Sequence, residues 1–211
     1  RQGLEQLWRA QQHCDLTLRA FPEGSHAEED AVEVVVHSCV AAALSEPVHG
    51  MLKGPMKSVK DGVLTLHPES GVDAASLVTA VEYMYTGRLE LTRDTMWGVM
   101  SAANYLGLGG ALGLCASFLE SQMCAENVLD IARAGEEMNC VELRAEALGY
   151  VASHFEEVRA EASFLELREE EVREILGMDE LVVGEEWAVY ESLTRWVDAD
   201  ASREAIFAEL F

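Results

Sequence analysis

The chain has 211 residues, of which 15 are lysine or arginine and 38 are aspartate or glutamate, so its formal net charge is −23 at pH 7. A surface with this charge repels nucleic-acid phosphates and anionic lipids, and we expect neither nucleic acid nor a membrane among its partners. The hydrophobic fraction of 49% is enough for a folded core and excludes a disordered tail.

The first half of the chain carries short strand-like segments. Residues 15–21 alternate apolar and polar side chains, which is the period of a half-buried strand. The β-branched segment Val32–Val36 predicts the return strand. We expect a third short strand at residues 63–66 and a fourth at residues 88–91, just after a glycine.

Helices are predicted between and after these strands. Residues 75–85 have apolar side chains close to helical spacing. A second helix, capped by Thr92 or Asp94, continues to the glycine-rich residues 107–110, and a third begins at Ala111. The glycines lack the spacing of a nucleotide-binding loop, so we interpret them as a turn between two helices.

The second half of the chain has the apolar pattern of helices throughout. Leu148, Val151, Ala152 and Phe155, for example, share one helical face. Successive helices with short connections predict an antiparallel helical stack.

A change of composition divides the chain. The formal charge is −7 over residues 1–123 and −16 over residues 124–211, and all three lysines lie in the first part. No stretch rich in glycine, proline or serine separates the two parts. We therefore predict two directly joined domains, residues 1–122 and residues 123–211.

Nothing in the sequence assembles a reactive centre. The five cysteines include no C-x-x-C pair, which favours reduced thiols and a cytoplasmic or nuclear location over a secreted disulfide scaffold. Histidines and cysteines are too scattered for a zinc site, and we expect no metal and no cofactor. No nucleophile, base and oxyanion-binding group can be matched. We expect a protein that is not an enzyme; an enzyme with an unrecognised site is the alternative.

Several motifs follow the order of a known family. In the first half they are CDLTL at residues 14–18, HSCVAAALS at residues 37–45 and YMYTG at residues 83–87. Together they resemble a BTB/POZ domain. The segments NVLDI at residues 127–131 and FEEV at residues 155–158 resemble the BACK domain that follows BTB in kelch-like proteins. The resemblance implies an α+β fold, with a short β-sheet flanked by helices and then an all-α stack.

The resemblance also implies a function. Members of this family mostly act as substrate adaptors of cullin-RING ubiquitin ligases, in which the BTB domain forms a homodimer and binds the BTB-specific cullin. The BACK domain separates that binding surface from a substrate-binding domain, often a kelch propeller. The expected partners are thus a second copy of the chain, a cullin, and a substrate bound through a domain outside this sequence.

The first helix is the predicted dimerisation element. Its apolar residues follow helical spacing, and a helix so short cannot bury them alone. By resemblance they pack on the partner subunit; the alternative is that Leu7 and Trp8 cover their own domain. The predicted dimerisation residues are Leu4, Leu7, Trp8 and Gln11.

The resemblance places the cullin-binding surface at a loop near residue 56 and at the end of the helix that closes with Leu106. Met56 is the expected apolar anchor. Ser58 stands where the family motif has Glu, which removes a charge-assisted hydrogen bond of about 1.5–3 kcal/mol. The predicted cullin-binding residues are Met56, Lys57, Ser58, Asn104, Tyr105 and Leu108.

Two alternatives remain within the family. One is a BTB–BACK scaffold that dimerises without binding a cullin, which Ser58 favours. The other is a transcriptional regulator that recruits corepressors through a charged pocket. Ser38 opposes the second, because it replaces the arginine that completes that pocket with Asp15 in transcription-factor BTB domains.

Overall fold

The computed structural model describes residues 2–25, 27–53, 59–185 and 187–203. These residues form two compact units, which divide between Phe118 and Leu119. The fold is α+β, as predicted. The first unit contains strands β1 (Leu16–Ala20), β2 (Val32–Val36), β3 (Val59–Lys60) and β4 (Val63–Thr65), with helices α1 (Gln2–Arg9), α2 (Ser38–Leu44), α3 (Glu46–Lys53), α4 (Ala74–Thr86), α5 (Arg93–Tyr105) and α6 (Gly109–Glu120). The second contains α7 (Val128–Glu137), α8 (Val141–Ser153), α9 (Phe155–Val158), α10 (Ala162–Leu165), α11 (Glu169–Leu176) and α12 (Trp187–Asp198).

The four strands form one sheet in the order β2-β1-β4-β3. Strand β1 pairs antiparallel with β2 and parallel with β4, and β3 pairs antiparallel with β4. Alternate side chains of β1 point into the core, where Leu18 is completely buried. The first three predicted strands are therefore confirmed to within a residue or so, and β3 was not predicted.

The predicted strand at residues 88–91 is wrong. Its alternation is real, because Leu89 packs against the core while Arg88 and Glu90 are exposed. The segment is nevertheless a connection between α4 and α5, and none of the described strands pairs with it. Alternating polarity marks one covered face, but a strand also needs a hydrogen-bonding neighbour.

Local hydrogen bonds fix the ends of α4 and α5. The Asp73 carboxylate accepts hydrogen bonds from the backbone N–H groups of Ala75 and Ser76, at 2.9 and 3.0 Å, which caps α4. Gly87 ends α4 with φ of +71°, a conformation that glycine adopts without strain. Thr92, rather than Asp94, caps α5.

The second unit is built around aromatic side chains. Phe155 and Phe164 meet edge to face, with ring centroids 6.0 Å apart, and both are completely buried. The indole N–H of Trp196 donates to the carbonyl oxygen of Leu167 at 2.8 Å. These contacts join α9, α10 and α12 and confirm a helical second half. None of the helices in the described parts of the chain combines the length and hydropathy that crossing a membrane requires.

One carboxylate in this unit is held by two arginines. The Glu171 carboxylate accepts from Arg133 Nε at 2.8 Å and from the Arg168 backbone N–H at 2.6 Å. Burial alone would raise the pKa of Glu171, but these hydrogen bonds and the charge of Arg133 lower it from 4.5 to about 2. The ionised carboxylate therefore stabilises the packing of α7 against α11.

We predict that Glu171→Gln lowers the free energy of unfolding by about 2 kcal/mol at neutral pH. Because folding depresses the pKa, this stabilisation is present above pH 4.5 and is lost as the pH falls towards about 2. Urea unfolding of both proteins at a series of pH values measures the difference.

The exposed neighbour Glu170 provides the control. Glu170→Gln removes the same charge and should change the unfolding free energy by less than about 0.5 kcal/mol. An equal loss in both variants, or a Glu171→Gln deficit that persists at the lowest pH, would contradict the assigned role of the ion pair.

Candidate interaction surfaces

An aromatic stack attaches α1 to the rest of the first unit. The rings of Trp8 and Tyr85 lie 4.7 Å apart and within 2° of parallel. The indole N–H of Trp8 donates to the carbonyl oxygen of Val35 at 3.0 Å. Helix α1 is thereby held against α4 and strand β2, with no residue of its own buried.

A buried hydrogen-bond chain continues from the same tyrosine. The Tyr85 hydroxyl lies 2.9 Å from both the backbone nitrogen and Nδ1 of His37. The backbone N–H donates to the hydroxyl oxygen. The hydroxyl hydrogen goes to Nδ1, because the carbonyl oxygen at the other ring nitrogen, Nε2, can only accept and so places the ring hydrogen there. The imidazole Nε2–H then donates to the carbonyl oxygen of Gln12 at 2.9 Å. This chain fixes the turn that follows α1.

The predicted dimerisation residues differ in their accessibility. Leu4 is 43% exposed, Leu7 is half-buried, and Trp8 packs on Tyr85 of the same chain. Gln11 is not on the helical face that the sequence predicted, since α1 ends at Arg9 and Gln11 has a φ of +51°. Gln11 follows Leu4 by seven residues, and this spacing puts both on one face only if the helix continues to Gln11.

The predicted cullin-binding residues are also unequal. Asn104 is exposed and Tyr105 is half-buried at the end of α5. Leu108 is only 4% exposed and belongs to the hydrophobic core, which leaves its side chain little surface to offer a partner. The remaining predicted residues, Met56, Lys57 and Ser58, lie outside the described residues.

A close backbone approach positions the end of α5. Gly107 has a φ of +63°, and a Cβ added there would lie 3.0 Å from Cδ of Pro47 in α3. Gly107 and Leu108 form the predicted turn, while Gly109 already belongs to α6. The contact with Pro47 brings α3 beside the end of α5, a relation that the sequence did not reveal.

Asp15 and Ser38 form a small polar pair beside β2. The Asp15 carboxylate accepts from the Ser38 backbone N–H at 2.7 Å and from its hydroxyl at 2.6 Å. These two bonds, the hydroxyl first, lower the pKa of Asp15. Asp15 thus provides a hydrogen-bond acceptor for a backbone N–H in the first turn of α2, a role for which the sequence gave no signal.

The thiols show no reactive arrangement. The five cysteines form no disulfide, and burial raises the pKa of Cys115 to about 11, which keeps it protonated. Over the described ranges, no three His, Cys, Asp or Glu side chains converge as metal ligands.

Comparison with known proteins identifies the family of this fold. Residues 4–123 match the sequence profile of the BTB/POZ domain. The chain belongs to the BTB/POZ family. Residues 128–211 match the BACK domain, described as "BTB And C-terminal Kelch". The resemblance drawn from the motifs is confirmed, while a domain boundary between residues 122 and 123 stays a prediction.

Kelch-like proteins align with both domains of this BTB–BACK chain. Kelch-like protein 28 of Mus musculus is 30% identical over 99% of this chain and 35% of its own length. Human Kelch-like protein 4 is 30% identical over 93% of this chain and 26% of its own length. Human Kelch-like protein 38 is 32% identical over 86% of this chain and 31% of its own length. The chain spans about a third of the curated relatives it matches.

We predict that Gly107→Ala destabilises the BTB domain by about 1–2 kcal/mol, because a Cβ strains the left-handed conformation and presses on Pro47. Gly109→Ala is the matched control, since nothing lies within 4 Å of the added Cβ; its stability should be unchanged or slightly higher. Thermal unfolding of both variants tests this, and equal behaviour would refute the close-approach argument.

Proposed function

We propose that this chain is the dimerisation and cullin-binding part of a substrate adaptor for a cullin-RING ubiquitin ligase. The observation that carries the proposal is the order of the two domains, BTB followed by BACK, along an alignment with kelch-like proteins that spans the chain. The chain binds and spaces other proteins, and the ubiquitin chemistry belongs to other subunits. Substrate recognition belongs to a further domain of the full-length protein.

The packing of α1 supports dimerisation. The Trp8 stack and the bond to Val35 use one side of this eight-residue helix. Leu4 lies a turn earlier and remains 43% exposed. An amphipathic helix with an apolar residue left in solvent is stabilised by a second apolar surface. In a two-fold dimer that surface is supplied by the same region of the other copy.

The neighbourhood of α3 and α5 supports the cullin-binding role. The Gly107–Pro47 contact holds the end of α5 beside α3, and Met56 is three residues beyond the end of α3 in the sequence. Asn104 and Tyr105 offer an amide and a phenol at that end of α5. Such a surface combines an apolar anchor with polar contacts around it.

A dimeric scaffold that binds no cullin is the second candidate. The observation in its favour is Ser58, which occupies the position of the glutamate expected from the family motif. Corepressor recruitment is less well supported, because both oxygens of Asp15 are already engaged by Ser38.

Dimerisation is tested by Leu4→Asp. The protein should elute as a dimer of two 23.2 kDa subunits in size-exclusion chromatography with light scattering. The variant should become monomeric at the same concentration, because the interface would bury an unpaired charge. Leu114→Asp is the control, since Leu114 is equally exposed, at 45%, but lies on α6. A monomeric parent protein would refute the proposed dimer.

Cullin binding is tested with the N-terminal domain of the BTB-specific cullin. Met56→Ala should weaken binding by about 1–3 kcal/mol without changing the dimer mass. Ser58→Glu should strengthen it by about 1.5–3 kcal/mol, because it restores a charge-assisted hydrogen bond. Ser117→Glu, which adds the same charge at an exposed position of α6, should leave the affinity unchanged. Calorimetry measures all four proteins.

The results separate the two candidates. Measurable binding by the parent protein supports the adaptor. If the parent does not bind at high micromolar concentration but Ser58→Glu does, the dimeric scaffold is the better description of this chain.

A further inference from the structure

A groove in the BTB domain lies apart from both proposed surfaces. It has a volume of about 560 Å³, within the range of sites that bind small ligands or short peptide segments. Its walls are the turn after β1, the loop before α4, and the facing sides of α4 and α5. Of the residues predicted for dimerisation or cullin binding, none that the structure describes lines it.

The walls of the groove are firmly joined. Phe21, which follows β1, pairs with Asp73 through an isolated β-bridge, and its carbonyl oxygen accepts from the Ala74 N–H at 2.9 Å. Gly98 of α5 packs so closely on Ser76 of α4 that a Cβ would collide with the serine hydroxyl. The groove is therefore preformed, which reduces the entropy lost when a ligand binds.

The described ionisable side chains that line the groove all carry charge of the same sign. Among the described residues that line it, every ionisable one is acidic, namely Glu23, Asp73 and Asp94. Asp73 is occupied in capping α4, whereas Glu23 and Asp94 are exposed. Trp97 lies on the same wall as Asp94 and is 39% exposed. A large aromatic face beside carboxylates is suited to a cation.

The lining hydroxyls also favour a donor-rich ligand. The Ser76 hydroxyl donates its hydrogen to Asp73 at 2.6 Å, and the Thr79 hydroxyl donates to the Ala75 carbonyl oxygen at 3.0 Å. Ser76 is buried and its hydroxyl lies against Gly98, whereas Thr79 is half-buried. The Thr79 hydroxyl has used its donor, so its oxygen remains a hydrogen-bond acceptor on the groove wall. Arginine and lysine carry five and three N–H donors and no acceptor, which complements this lining.

We propose that this groove binds an extended segment of a partner protein that carries arginine or lysine. A basic side chain stacks on Trp97 while Glu23 and Asp94 neutralise its charge. The remaining length of the groove accommodates the residues on either side, one of whose backbone N–H groups donates to the Thr79 hydroxyl oxygen.

The probe is an acetylated and amidated nine-residue peptide of alternating glycine and arginine, titrated into the full chain by calorimetry at physiological salt. Trp97→Ala should weaken binding about fivefold, as expected for loss of a cation–π contact. The double variant Glu23→Gln, Asp94→Asn should weaken it about tenfold. Both variants should keep the circular dichroism spectrum and the molecular mass of the parent, because the changed side chains are exposed.

Matched variants in the BACK domain separate a specific groove from general attraction to an acidic protein. Trp187 is 64% exposed and follows acidic residues, so Trp187→Ala is the control for Trp97→Ala. The exposed pair Asp179 and Glu180 supplies the charge control, with Asp179→Asn and Glu180→Gln combined. Both controls should bind the peptide within about twofold of the parent.

Four results would overturn the proposal. The parent protein could fail to bind at millimolar peptide, or the BACK variants could lose as much affinity as the groove variants. A peptide with citrulline in place of arginine could bind equally well, which would remove the role of charge. If arginine amide alone bound as tightly as the peptide, the site would take a small cation and the extended segment would be refuted.

Discussion

The stack of Trp8 on Tyr85 is the contact on which the N-terminal part of the BTB domain depends. A helix of eight residues is not stable in water by itself, and α1 buries none of its residues fully. Its position is fixed by this stack and by the indole hydrogen bond to Val35. The same tyrosine reaches the turn after α1 through His37. One side chain therefore orients both the helix and the segment that leads into β1.

The sequence predicted the fold well wherever a local pattern reflects burial. Strand β2 has the predicted bounds, and α4 extends one residue beyond its prediction at each end. The error at residues 88–91 has a physical cause, because Leu89 faces the core without a neighbouring strand. Strand β3 was missed because two residues carry no detectable period. Gln11 was wrongly assigned to the apolar face of α1, because no residue in the sequence marks the end of this helix.

The candidate surfaces were less predictable, because they depend on contacts between distant segments. The core position of Leu108 and the approach of Gly107 to Pro47 follow from how α3 and α5 meet, which no local pattern encodes. The engagement of Asp15 by Ser38 likewise joins β1 to α2. Family resemblance predicted the regions of both surfaces, and the packing shows which of the described side chains are exposed there.

The parallel pairing of β1 with β4 has a consequence for how the protein reaches its native state. Arg19 pairs with Thr65, so β2, α2 and α3 lie in the intervening chain and a long loop must close before that pairing stabilises anything. Helices α7 and α8, by contrast, are neighbours in sequence that pack directly on each other. Topologies rich in nearby contacts form faster. The ribosome thus delivers the slower-folding half first, and the BTB sheet has the duration of BACK synthesis in which to assemble.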